Sequence, residues 1–163
     1  MNLEYLVKDY ADYNYWANKR LIDWLKTKPV EKMDVEVPSS FTSIRLTFIH
    51  IWNVQKYWLS NLQKLQPEPR STDFTTEEVF DGVLKQSEVL AKFISSLSEE
   101  ALLANYDFTI QKVNNFTCTG FKMIQHCMNH SAYHRGQIVT IARNVGLTDA
   151  PMSDYIYYSL MPH

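Results

Sequence analysis

Glycine and proline are scarce in this chain, 4 and 6 among 163 residues. With so few turn-forming residues, long helices fit better than many short strands. Cysteine is scarcer still. Cys118 and Cys127 alone cannot build a disulfide framework, and reduced thiols in the cytoplasm are the simpler reading. No apolar run approaches the roughly 18–20 residues that span a bilayer. The start, Met1-Asn2-Leu3-Glu4-Tyr5, lacks the charged and apolar regions of a signal peptide. Blocks of like charge are absent too, and the formal net charge is -2. Nucleic acid as the main partner would call for a concentrated basic face. The expectation is a cytoplasmic protein with neither membrane nor nucleic acid as partner.

What the chain does have is apolar and aromatic side chains. It is 45% hydrophobic, with 10 Tyr, 8 Phe and 4 Trp. That supplies one domain over residues 1–163 with a core of large rings packed between helices. Leu3, Leu6, Val7, Tyr10, Tyr13, Ala17, Leu21 and Leu25 recur at three- and four-residue intervals, which predicts a first helix from Leu3 to Lys26, stopped by Pro29. Tyr13 and Trp16 read as core, with a pocket wall as the alternative. Val30 to Val37 has no clear period. Thr42 or Ser43 can cap a second helix from Ile44 to Leu65, ending before Pro67. Thr75 and Glu78 are spaced as a capping box for a third, which runs to Ser96 and reads as scaffold. Its Glu88 and Lys92 form a solvated surface pair. Tyr106, Phe108 and Ile110 then alternate with polar residues, predicting a short hairpin that returns through Phe116 and Cys118, with Val113-Asn114-Asn115 in the turn and Gly120 at its end. A fourth long helix follows from Phe121 to Asn144, stopped at Gly146. The tail from Pro151 to Leu160 suits a helical turn or two, its tyrosines covering the bundle's end or a partner. Four long helices imply an all-α four-helix bundle, with linkers long enough for crossover connections.

Three of the five histidines, His126, His130 and His134, lie four residues apart on that last helix. Neighbours in such a series share a face, so a pair can direct two imidazole nitrogens at one divalent ion. A third ligand is available from His50, set in an apolar stretch of the second helix. His50, His130 and His134 are the proposed set. Three neutral imidazoles leave coordination positions open, as catalytic sites do. Spacing alone does not separate His126/His130 from His130/His134. His126 and His134 stand about 12 Å apart along the axis, too far to share an ion. His126 then reads as a surface or pocket residue, and Cys127 as a packed thiol. Arg135 reads as a structural ion pair or a contact between copies, with anion binding the alternative. Gly136 reads as a point of close approach, and Gln137 as an anchor of structure or of the site. The donor set accepts zinc, nickel, copper, iron or cobalt.

Asn129-His130-Ser131-Ala132-Tyr133-His134-Arg135-Gly136-Gln137-Ile138, followed by Ala142-Arg143-Asn144-Val145-Gly146-Leu147, resembles the C-terminal signature of the DinB-like family, the DNA-damage-inducible four-helix metalloproteins. Tyr15-Trp16-Ala17-Asn18-Lys19-Arg20-Leu21, then Ser43 with His50 seven residues on and Trp58, and the Asp154-Tyr155-Ile156 tail are similar to other parts of it. The resemblance implies a metal triad of His50, His130 and His134, zinc or nickel foremost, a bundle with other than up-down-up-down connections, and a homodimer. Characterised relatives include S-transferases that use low-molecular-weight thiols such as bacillithiol or mycothiol, so it also implies thiolate addition to a small-molecule electrophile. The bacillithiol enzymes carry a second adjacent histidine where this chain has Tyr133, and lack its Arg-Gly-Gln, which leaves the thiol open. A non-catalytic metal-binding stress or interaction protein is the competing reading.

Overall fold

A computed structural model describes residues 2–110 and 114–161. Its long helices are α1 (Leu3–Leu25), α2 (Ile44–Leu62), α3 (Thr76–Ser95) and α5 (Gly120–Asn144). Between α3 and α5 lie a short α4 (Glu99–Leu103) and the strands β1 (Asn105–Ile110) and β2 (Asn114–Thr119); α6 (Tyr155–Ser159) closes the chain. α1 packs on α3 and α5, and α2 packs on the same two. Consecutive helices α1 and α2 therefore face each other across a diagonal, as do α3 and α5. Those are the two crossover connections of the all-α bundle, and the long linkers make them possible.

The helix starts are set by side chains that accept free backbone N–H groups. Ser43 accepts from Leu46, and Thr75 and Glu78 form a full capping box. α2 ends at Leu62, three residues before the expected Leu65, because Lys64 turns into the left-handed region at φ 57. The segment without clear period holds a 3-10 turn over Val30–Asp34 that buries Met33. α4, capped by Ser98, is an addition to the expected elements; five residues are too few to display a helical period. In the hairpin Phe108 pairs with Phe116, while Asn114 and Asn115 pair with Ile110 and Thr109, so they belong to the strand and not to the turn. Val113 lies outside the described residues.

The core is two apolar lobes. One gathers Leu21, Ile22, Phe48, Ile51, Phe80, Val83, Ile138 and Ile141; the other gathers Ala11, Val54, Trp58, Leu90, Ile94, Met123, Ile124 and Cys127. Each long helix also carries polar residues near the junction of the lobes, Asn14 and Asn18, Gln55, Ser87, Ser131 and Arg135, beside a small third cluster of Tyr13, Ala17 and Tyr158. All of them are buried. The bundle thus has a polar waist. Gly82 of α3 sits where a Cβ would meet the Trp52 ring at 2.3 Å, so this glycine is what lets α2 and α3 approach. Gly136, the expected point of close approach, has nothing within 4 Å of a Cβ. The tail lies along α1: Tyr13 donates to the Ser153 carbonyl at 2.9 Å, Arg20 to that of Met152 at 2.8 Å, and Tyr158 packs on Trp16 at 5.5 Å.

Candidate metal centre

At the waist, α2 and α5 bring His50, His130 and His134 together. Their Nε2 atoms meet at His130, 3.1 Å from His50 and 3.1 Å from His134. The ligating atoms of all three lie within 4.8 Å of one another, and no other such group of His, Cys, Asp or Glu occurs among the described residues. Tetrahedral zinc–nitrogen bonds of about 2.0–2.1 Å put ligand nitrogens roughly 3.3–3.4 Å apart, close to the two separations at His130.

The orientation of His134 is determined. Its Nδ1 lies 2.7 Å from Gln137 Oε1, and Gln137 donates in turn to the Tyr133 hydroxyl at 3.1 Å. An amide oxygen only accepts, so Nδ1 carries the proton and Nε2 presents its lone pair to the cluster. Gln137 therefore anchors the ring of His134, a role that spacing alone left undecided. Phe41, from the linker, stacks on His50 with ring centres 4.1 Å apart and touches His134 edge-on.

Burial is the main reason these imidazoles stay neutral. It lowers His50 to about 4, with His134 and Arg70 adding repulsion, and His130 to about 3, with His134, His50, His126 and Arg70 adding to it. His134 is lowered by burial and partly restored by Gln137. Three neutral imidazoles whose Nε2 atoms converge make a cluster compatible with a divalent metal.

His126 is not in the cluster. Its exposed ring lies on Trp58 at 5.1 Å and beside His130 at 5.8 Å, and packing there lowers its pKa. From Trp58 the rings continue to Phe108 at 5.1 Å and Phe116 at 5.7 Å, an apolar ledge leading away from the triad. Cys127 is a packed thiol, pushed by burial up to about 12. Among the described residues Arg135 forms no ion pair, and it does not reach the surface. It is 2% exposed and donates to the amide oxygens of Asn14 at 2.7 Å and Asn18 at 3.1 Å. Phe41 and Arg70 carry no signal in the sequence, since both come from irregular linkers with no spacing to tie them to a helix. Two surface grooves lie elsewhere, at the start of α1 against the end of α3 and beside Trp52. Neither holds a cluster of this kind.

Comparison with known proteins agrees with this arrangement. The chain is 29% identical over 164 residues to Protein DinB of Bacillus subtilis (strain 168), covering 92% of this chain and 91% of that protein. Its fold is similar to the crystal structure of a DinB-like protein from Bacillus cereus ATCC 10987, with a TM-score of 0.67, 19% identity and coverage of 86% and 91% of the two chains. Residues 1–161 match the DinB family. A bundle with two diagonal crossovers, carrying a three-histidine cluster and matched from end to end, belongs to the DinB family.

Proposed function

We propose that His50, His130 and His134 bind a divalent metal, zinc or nickel foremost, and that the site catalyses transfer of a low-molecular-weight thiol to a small electrophile. The observation that carries the metal is the convergence of three neutral imidazoles through their Nε2 atoms, with His130 3.1 Å from each neighbour. A divalent ion there supplies a Lewis acid that lowers a thiol's pKa and keeps it as thiolate at neutral pH.

The chain's own residues do the rest. Gln137 and Tyr133 hold the His134 tautomer, and Phe41 shields the backs of His50 and His134 from water. The row of rings His126, Trp58, Phe108 and Phe116 starts beside His130 and offers an apolar electrophile the exposed rings of His126 and Phe116. The sulfur forms the new C–S bond, and the electrophile releases its leaving group or takes up the thiol's proton at the adjacent carbon. Arg70, whose charge reaches His50 and His130, suits a thiol that carries an acidic group.

Metal analysis of the purified protein, then a screen of cysteine, bacillithiol, mycothiol and 2-mercaptoethanol against an alkyl halide electrophile, tests this reading. One metal per chain with turnover lost to a chelator and restored by metal is the expected result. Stoichiometric metal without turnover on any thiol would make the protein a non-catalytic metal binder, and absence of bound metal would remove both readings.

A further inference from the structure

The stretch of α5 that carries two of the histidines is held at both ends by α1. Asn129, the residue before His130, accepts a hydrogen bond from the Tyr10 hydroxyl at 2.6 Å. Arg135, the residue after His134, has its guanidinium 5.3 Å from the centre of the Tyr13 ring and donates to Asn14 and Asn18. Tyr10, Asn14 and Asn18 follow at four-residue intervals, so one face of α1 braces the ligand segment.

The same two tyrosines are held by the tail. Their rings stack on each other at 5.8 Å. Tyr155 meets both edge-on, Tyr13 at 5.2 Å and Tyr10 at 6.2 Å, and its hydroxyl donates to the Asp9 carboxylate. Tyr158 lies 5.7 Å from Tyr13, and the Tyr13 hydroxyl donates to the Ser153 carbonyl. Tyr10 and Tyr13 are thus shared between the tail and the ligand segment.

The tail is also the part best able to let go. No described residue beyond Leu147 belongs to either lobe of the core. α6 has five residues, too few to be stable alone, and its Ile156 is 65% exposed. The tail can undock while both lobes stay packed, which makes it an element with two states. Once undocked, Tyr13 loses its acceptor, both rings lose their edge contacts, and their hold on Asn129 and Arg135 loosens. His130 and His134 are then less well arranged to meet His50.

We propose that residues 151–160 form a strap coupled to the histidine triad: docking of the strap tightens metal binding, and bound metal holds the strap down. The proposal rests on the triad being a divalent-metal site. Such coupling is reciprocal, so each event favours the other by the same factor.

Both directions can be measured on the full chain with zinc, or with nickel should zinc not bind. Hydrogen exchange reads the strap through the Tyr158 and Met161 amides, which bond within the tail. Metal should slow their exchange by about tenfold or more, and His130→Ala should abolish the slowing. Tyr158→Ala, which loosens the strap far from the histidines, should weaken metal binding by a similar factor, read by competition with a chelating dye, and leave one metal per chain. Leu65→Ser, at an exposed position after α2, should change neither value. If Tyr158→Ala does not fold, the exchange comparison of wild type with His130→Ala decides. Equal exchange of the tail with and without bound metal overturns the proposal and leaves the metal site standing. So does unchanged affinity in a Tyr158→Ala chain whose tail exchanges freely. A wild type that binds no divalent metal removes the metal reading and this proposal with it.

Discussion

The histidine cluster and the arginine cluster occupy the same level of the bundle and are built from opposite polar atoms. In the first, three imidazole nitrogens converge, with His130 Nε2 at 3.1 Å from two partners. In the second, the guanidinium of Arg135 is met by the amide oxygens of Asn14 and Asn18 and by the face of the Tyr13 ring. The first lies half open to solvent through His50 and His130, while every member of the second is buried. A polar cluster that keeps a side open to solvent can take up a ligand, whereas a buried one whose groups meet each other ties helices together.

The largest expected effect separates the two at once. His130→Ala removes the nitrogen that both other histidines face, and metal affinity measured by competition with a chelating dye should fall by more than a hundredfold. The buried bonds of Arg135 to Asn14 and Asn18 should be untouched. Gln137→Leu comes next. It frees the His134 tautomer without removing a ligand, and losing a ligand's hydrogen-bond partner in this way costs about 10–100-fold in metal affinity; an affinity within a factor of two of wild type would refute the anchoring role. On the other side, Ser87→Ala removes the hydroxyl that joins Asn18 Nδ2 to Gln55 Oε1 and leaves both buried without partners. Urea unfolding should show a loss of about 1–3 kcal/mol, with metal stoichiometry unchanged.

The smallest effect is on pH. In metal-free protein His50 and His130 are lowered to about 4 and about 3, whereas the unfolded chain protonates its histidines near 6.5. Between those limits the unfolded state binds more protons, so stability falls as pH drops from about 6.5 towards 3–4, and these groups contribute no slope above 6.5. Urea midpoints at pH 7.5, 6.0 and 5.0 in chelator should show this, and His130→Ala should flatten it. The arginine cluster keeps its charge across that range and should add no slope.

The histidine cluster is legible in the sequence, and the arginine cluster is not. His130 and His134 announce themselves by spacing, and His50 by being a titratable residue in an apolar run. The four long helices are equally open to reading, since each repeats its apolar positions over several turns and Ser43 and Thr75 mark two of the starts. Asn14, Asn18, Gln55 and Ser87 look like ordinary outward-facing positions, because periodicity assigns a polar residue to solvent by default. Only packing reveals that four helices put theirs at one level. Gly82 and Gly136 make the same point in reverse: both interrupt a helix, and the partner ring at Trp52 cannot be paired with either from sequence.

The clasp of the tail on the first helix has a consequence in time. Tyr13 waits for Ser153, Arg20 for Met152, and Trp16 for Tyr158, so α1 finds these partners only after a segment 132 to 140 residues further along the chain has been made. Contacts that distant in sequence form late and slow the search. Until then the aromatic face of α1 must stay uncovered or be sheltered by something else, and uncovered apolar surface on a growing chain invites aggregation.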